Sequence, residues 1–186
     1  MRVFWQKGFA DAALSDLTKA MRINRPSLYA TFGNKHALFR KAIVHYVDQG
    51  NSSFEDTKKA ATARDFVAAV LRRKVDLYTN PSFPQGCFFI QSAMAGAASQ
   101  PARRAALDAR ETNEKAILDQ LKTYKKPGEL PPGFTAAELT AFVVSVGNGI
   151  AIRAADGASR EALYRIVDIS LAFWPAKKSA KKKPKK

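Results

Sequence analysis

The residues from Leu14 to Phe39, LSDLTKAMRINRPSLYATFGNKHALF, decide the fold of this chain. Their first part predicts a short helix, because its apolar residues recur at helical spacing: Leu14, Leu17, Ala20 and Met21. Asn24 is a suitable N-cap for a second helix, Pro26 suits that helix's first turn, and Gly33 suits the position after its end. Two short helices joined by a turn of roughly four residues have the spacing of a helix-turn-helix, whose second helix enters the major groove of DNA.

The remainder of the chain predicts further helices. No segment alternates with period two for long enough to form a strand, so the fold class is all-α, with about nine helices. The helix that begins at Lys35 is expected to end at Gly50-Asn51-Ser52-Ser53. Later helices are expected at residues 66–78, 87–98, 103–126, 135–155 and 159–174. Thr135 is expected to cap the fourth of these, with Glu138 as its capping-box partner.

The chain resembles the TetR (tetracycline repressor) family of transcriptional regulators. The resemblance is carried by Phe4, Gly8-Phe9, Leu14-Ser15-Asp16-Leu17, Ile23-Asn24-Arg25-Pro26-Ser27-Leu28-Tyr29, Phe32-Gly33-Asn34-Lys35 and Leu38-Phe39. It implies a three-helix helix-turn-helix DNA-binding domain at residues 1–49 and a helical effector-binding and dimerisation domain at residues 50–175. Residues 176–186 form a Lys-rich tail that is expected to be disordered, because such a composition cannot bury enough apolar surface to fold.

Three features depart from the family pattern. Ala12 and Ala13 stand where a Thr or Ser cap is usual, so the cap of the first motif helix is expected to be weak. Arg22 stands in the turn where glycine is common, so the backbone there either is strained or avoids a positive φ. Only residues 1–7 precede the Gly8-Phe9 turn, so the first helix is expected to be truncated, either natively or by an internal start. The DNA-binding domain should then be the least protected part of the chain.

Composition limits the classes of protein that the chain can represent. The formal charge is +15, and seven lysines of that excess lie in the last ten residues. No apolar run approaches the ~20 residues of a membrane span, and no signal peptide follows Met1. The single cysteine, Cys87, excludes an internal disulfide. These features predict a cytoplasmic protein with no membrane association and favour a nucleic acid as partner.

The predicted partner is a double-stranded DNA operator, bound by residues in and just after the second motif helix: Arg25, Pro26, Ser27, Tyr29, Thr31 and Lys35. Arg25 could pair with guanine or with a phosphate, and Lys35 at a helix N-terminus suits a phosphate. The alternative is that Tyr29 packs on the next helix and that Arg25 is merely solvated. Phe32 is expected to be core together with Leu28, and His36 is expected to face solvent.

No enzyme, metal centre or cofactor is predicted. Two histidines, His36 and His45, with one cysteine have the wrong number and spacing for zinc. No catalytic constellation is visible. Gly147-Asn148-Gly149 lies inside an apolar helix, where small residues allow close helix packing. Cys87 is interpreted as a small buried hydrophobe rather than as a redox sensor.

By resemblance, the second domain should hold a pocket for a small-molecule effector, expected to be apolar or aromatic. The implied wall residues are Phe66, Val70, Tyr78, Phe88, Phe89, Gln91, Met94, Arg110, Asn113, Phe142 and Asn148. Arg110 and Asn113 would be the buried polar groups that orient the ligand. The alternative is that these aromatic side chains only fill the core and that the asparagines bond to backbone.

The last two helices predict a homodimer, because Thr135–Ala155 is apolar on nearly every face and Ser159–Trp174 follows it closely. A monomer would expose more apolar surface than is usual. The chain is therefore predicted to be a ligand-responsive transcriptional repressor. Two alternatives stay open at this point: a ligand-binding dimer that no longer binds DNA, and a basic nucleoid-type protein that binds DNA through its tail.

Overall fold

A computed structural model describes residues 1–94 and 100–175, without the side chains of residues 50–53, 92–94 and 100–102. Within these ranges the protein is all-helical, which confirms the predicted fold class. The helices are α1 (Arg2–Asp11), α2 (Leu14–Met21), α3 (Arg25–Phe32), α4 (Lys35–Thr57), α5 (Ala63–Tyr78), α6 (Phe88–Met94), α7 (Gln100–Leu121), α8 (Ala136–Ala155) and α9 (Arg160–Ser170).

The helix-turn-helix forms where the sequence predicts it, at α2 and α3. The Asn24 side chain accepts a hydrogen bond of 2.8 Å from the Ser27 N–H, which caps α3. Gly33 follows α3 with a φ of +78°, a conformation that glycine adopts without strain. Leu28 is completely buried, so α3 is anchored by one face and leaves the opposite face in solvent.

The two irregular positions around α2 have separate outcomes. Ala13 caps α2 without a side-chain bond, but the Asp16 carboxylate accepts the Ala13 N–H at 3.1 Å and pairs with Lys7 at 2.8 Å. The weak cap is thus partly compensated from inside the helix. Arg22 adopts a φ of +55° and a ψ of +40°, which is the left-handed conformation. The turn therefore does not avoid a positive φ, and its backbone is strained at Arg22.

Helix α1 joins the two parts of the molecule. It bends at Gly8, whose φ of +72° lies outside the helical range. Phe4 and Trp5 are completely or almost completely buried, and Trp5 lies against Phe83 and Phe88 at ring distances of 5.9 Å each. Because Phe88 belongs to α6, the helix-turn-helix packs on the larger helical body through α1.

Three helix ends differ from the predictions. Helix α4 does not stop at residues 50–53 but continues to Thr57. One glycine costs a helix only about 1 kcal/mol, and Phe54, buried beyond the expected break, packs near Phe66 of α5. Helix α7 ends at Leu121 rather than at residue 126. The chain turns after Leu121, and the Tyr124 hydroxyl in this turn donates a hydrogen bond to the Ala60 carbonyl. Helix α9 ends at Ser170, before a turn that buries Trp174.

Helices α5 and α8 form the centre of the larger body. Helix α8 begins with the predicted capping box, in which Thr135 and Glu138 bond reciprocally. By length and composition α8 could cross a bilayer, contrary to the expectation that no such segment exists, but it packs against α5, α7 and α9 as a core helix does. At Gly147 a Cβ atom would lie 2.8 Å from Lys74 Cδ, so this glycine permits the close approach of α5 and α8.

Candidate DNA interface and ligand cavity

The exposed face of α3 carries five of the six residues predicted to bind DNA: Arg25, Pro26, Ser27, Tyr29 and Thr31. Tyr29 has 45% of its surface exposed, so it is available to a ligand from solvent. Leu28 lies on the opposite face and fixes the helix to the core. The arrangement is that of a helix held from behind, with polar and basic side chains free to enter a groove.

Lys35, the sixth residue, already has partners within the protein. Its ammonium donates to the Ala10 carbonyl at 3.1 Å and lies 4.7 Å from the centre of the Phe9 ring. Burial lowers the pKa of Lys35, and Asp11 partly opposes that effect. An ammonium has three donors, so the bond to Ala10 leaves capacity for a phosphate. Lys35 thus links α4 to the end of α1, a role that the sequence did not indicate.

Two expectations beside this interface hold only in part. His36 does not face solvent freely, because its ring lies 4.8 Å from Phe9 and is half-buried. Phe32 packs against the core as expected but is only half-buried, since it lies at the end of α3, where the Lys41 ammonium is 5.2 Å from the centre of its ring. Both side chains lie at the edge of the small domain, which consists of α1, α2, α3 and the first part of α4.

The larger body contains a cavity of about 220 Å³ between α4, α5, α6, α7 and α8. Five of the predicted wall residues line it: Tyr78, Phe89, Arg110, Asn113 and Asn148. Arg110 and Asn113 are half-buried rather than buried, because the cavity opens toward solvent beside α7. The cavity therefore has polar groups on α7 and α8 that face an apolar and aromatic wall.

The other predicted wall residues lie elsewhere. Phe66, Val70 and Phe88 are fully buried core side chains that do not line the cavity. Phe142 packs on Phe173 at 5.2 Å, outside the cavity. Gln91 lines a separate depression between α1, α6 and α8, where its amide donates to the Gln85 carbonyl at 2.8 Å. The Met94 side chain lies outside the described residues. The family resemblance implied a pocket among these helices but did not show which side chains face it.

Two basic residues of the cavity were not predicted from the sequence: Arg73 and Lys74 of α5. A signal was present, because Val70, Lys74 and Tyr78 recur at i, i+4 and i+8 and so share one helix face. A lysine between two buried residues on that face is expected to be at least partly buried, as Lys74 is. Its hydrocarbon stem packs where Gly147 lacks a side chain.

Burial dominates the electrostatics of this cavity. It lowers the pKa of Lys74 below 10.5; the neighbouring Cys87 opposes this shift, and Arg73 and Arg110 add to it. Desolvation also lowers the pKa of Arg73. Burial raises the pKa values of Tyr46 and Tyr78 well above 10, so both phenols remain neutral donors at physiological pH.

Tyr46 connects the cavity to the small domain. Its hydroxyl donates to Cys87 Sγ at 3.7 Å, and its ring meets Trp5 edge-on at 5.0 Å. Cys87 is a buried free thiol that lines the same cavity. A side chain that lines the cavity is therefore in direct contact with α1. In the described part of the chain, no group of three His, Cys, Asp or Glu side chains could hold a metal ion.

Comparison with known proteins identifies both parts of the chain. Residues 1–42 match the family described as bacterial regulatory proteins, tetR family, and residues 61–169 match the tetracyclin repressor-like C-terminal domain. The chain is 30% identical over 182 residues to the HTH-type transcriptional repressor ComR of Escherichia coli K12, covering 94% of this chain and 85% of ComR. It is 26% identical to the repressor BdcR of the same organism, covering 87% and 78%.

A solved structure supports the same relationship. A cysteine mutant of the TetR family transcriptional regulator CifR, complexed with 26-base-pair double-strand operator DNA, is 34% identical to this chain. The two superpose with a TM-score of 0.84, covering 94% of this chain and 92% of the CifR chain.

Proposed function

Because the chain belongs to the tetR family of bacterial regulatory proteins and is a DNA-binding transcriptional regulator, we propose that it is a homodimeric repressor that a small molecule releases from its operator. The observation that carries this proposal is the exposed face of α3, held from behind by Leu28. The similarity to CifR, solved with operator DNA, supports the same assignment. Residues 1–49 form the DNA-binding domain and residues 50–175 the effector and dimer domain, with α4 crossing the boundary.

The two DNA-binding units act as a pair in this proposal. The partner surface is provided by residues 135–155 and 159–174, where Ile152, Ile169 and Phe173 are exposed. A twofold axis there would fix the separation of two α3 helices. Recognition helices must lie about one helical turn, ~34 Å, apart to enter successive major grooves.

The ligand acts by changing that separation. A molecule in the cavity contacts Tyr46, and Tyr46 contacts Trp5 of α1. A ligand that binds more tightly to the dimer when its two small domains have the wrong separation for DNA shifts the population of dimers away from the DNA-binding conformation. Cytoplasmic location follows from this function, since the target is the chromosome.

Binding to the DNA upstream of the protein's own gene tests the proposal. DNase I footprinting should show two protected half-sites about one turn apart. Arg25→Ala should weaken binding, whereas Arg103→Ala, which removes the same charge from an exposed position on α7, should not. Lys35→Ala should lower the salt slope of binding by about one unit if its ammonium contacts a phosphate.

Three results would contradict the proposal. Failure to bind any upstream or operator-like DNA would favour a ligand-binding dimer without DNA affinity. Equal binding to every sequence, lost on deletion of residues 177–186, would favour a nucleoid-type protein. An equal loss of affinity in Arg25→Ala and Arg103→Ala would show that α3 is not the recognition helix.

A further inference from the structure

We propose that the cavity binds a small organic carboxylate whose apolar body is about the size of one aromatic ring. The inference rests on the proposed function in that the cavity is taken as the effector site, and it adds the chemical class of the effector. It differs from the expectation of a merely apolar or aromatic ligand, because basic side chains outnumber carboxylates in the cavity wall and favour a negative group.

The wall carries more positive than negative charge. Four basic side chains line it, from Lys58, Arg73, Lys74 and Arg110, against the two carboxylates of Glu55 and Glu114. Glu55 is already bonded to Lys58 at 2.6 Å and is mostly exposed at the mouth. Among residues 1–94 and 100–175, no carboxylate lies within ion-pair distance of Lys74 or Arg110.

Lys74 is the decisive group, because its charge has no compensating anion. Its Nζ lies 5.9 Å from the centre of the Tyr78 ring, and its stem fills the space left by Gly147. Desolvation disfavours the ammonium and lowers its pKa. A buried charge is normally paired, and a lysine with a long flexible stem normally reaches solvent. Lys74 is half-buried, with its ammonium beside the Tyr78 ring in the cavity wall, so an anion bound in the cavity would be its partner.

The remaining wall fits the rest of such a ligand. Leu77, Phe89 and Val144 provide apolar surface, while Asn113 and Asn148 provide amide donors. An apolar cavity of ~150 Å³ is enough to hold benzene. The volume of about 220 Å³ therefore accommodates one aromatic ring and a carboxylate. Apolar walls distinguish this site from one for inorganic phosphate, which needs no apolar contact.

Calorimetric titration of the full-length protein, without DNA, tests the class of ligand. The probes are benzoate, phenylacetate and hexanoate, each paired with the alcohol of the same skeleton, and inorganic phosphate. At least one carboxylate should bind about ten- to hundredfold more tightly than its alcohol, as a charge-assisted hydrogen bond implies. Phosphate should bind more weakly than that carboxylate.

Two variants test the residues. Lys74→Met keeps the stem and removes the charge, so it should reduce carboxylate affinity about tenfold or more and leave the alcohol unaffected. It should not unfold the protein, because methionine keeps the packing of the stem and the half-buried ammonium has no carboxylate within ion-pair distance to lose. Gly147→Ala should weaken carboxylate binding too, since its Cβ would displace Lys74. Lys122→Met, at an exposed position after α7, is the matched control and should bind normally.

The proposal is wrong if no carboxylate binds more tightly than its alcohol, if phosphate binds as tightly, or if Lys74→Met retains full affinity. These outcomes are independent of DNA. A carboxylate that binds through Lys74 but does not release operator DNA would support this inference and contradict ligand-induced release.

Discussion

Arg22 is a residue at which the sequence imposes strain on the DNA-binding domain. The left-handed backbone conformation costs a non-glycine residue about 1–2 kcal/mol. Glycine avoids this cost, but it loses more conformational entropy on folding, which offsets part of the gain. Arg22→Gly should therefore raise the free energy of unfolding by about 0.5–1 kcal/mol in urea denaturation. Arg22→Ala removes the same side chain but keeps the Cβ, so it should not stabilise the domain. Equal stabilisation by both variants would show that the side chain, not the backbone, is the cause.

Single residues also show where sequence analysis reached its limit. Asn24, Leu28 and Gly33 were predicted correctly, because caps and buried positions depend on neighbours within one helix. The intramolecular contacts of Lys35 and Lys74 were not predicted, since they depend on groups distant in sequence: the Ala10 carbonyl and Gly147. Tertiary packing gives each of these lysines a partly buried location.

The N-terminus of α8 gives a prediction at the scale of one element. Glu138 accepts bonds from the Thr135 N–H and hydroxyl at 2.8 and 2.7 Å, which lower its pKa below 4.5. The ionised Glu138 therefore stabilises the folded state fully at a pH above 4.5, the ordinary pKa of glutamate. This stabilisation is lost as the pH falls through the lower pKa of the folded state. Thermal unfolding across this pH range should show a smaller pH dependence in Glu138→Gln than in the native protein.

The capping residue itself can be tested at neutral pH. Thr135→Ala should cost about 1 kcal/mol of unfolding free energy, because it removes the side-chain acceptor of the Glu138 N–H. Thr135→Ser keeps that acceptor and should restore most of the loss. If Ser were as destabilising as Ala, lost methyl packing rather than capping would explain the effect.

At the element scale, the sequence predicted which segments are helical better than where they end. Helix α4 continues past residues 50–53 because burial of Phe54 outweighs the cost of Gly50. The cavity was the hardest feature to predict, because it is formed by five helices and periodicity cannot show which neighbour covers each face. Tyr78, Phe89 and Arg110 were placed correctly; Phe66 and Phe88 belong to the core instead.

Coupling between the two domains is a property of the whole molecule, and Trp5 allows it to be tested. Its ring is 1% exposed and contacts Tyr46, Phe83 and Phe88, which lie outside α1. Trp5→Ala should cost about 3–5 kcal/mol and reduce amide hydrogen-exchange protection both in α1 and in α6.

A second variant separates coupling from simple loss of stability. Phe4 stacks on Phe9 and meets Phe39 edge-on, so its main ring partners lie within the small domain. Phe4→Leu should reduce protection mainly there. If Trp5→Ala left α6 fully protected, the domains would not be coupled through this residue.

Assembly gives the last prediction, because the protein should bind its operator only as a dimer. Ile169 is 68% exposed on α9 and lies on the surface proposed to contact the partner subunit. Because a twofold interface contains the same residue from both subunits, Ile169→Glu would place two carboxylates in it. Each unpaired polar group costs about 1–3 kcal/mol, so the dimer dissociation constant should rise at least about tenfold.

Light scattering measures the dimer, and footprinting measures its effect on DNA. Without the fixed separation of two α3 helices, Ile169→Glu should also lose cooperative protection of the two half-sites. Val44→Glu introduces the same charge at another exposed apolar position, on α4, where 58% of the side chain is accessible, and should remain dimeric. If the two variants dissociated equally, the effect would be general destabilisation; if neither did, the dimer would use a different surface.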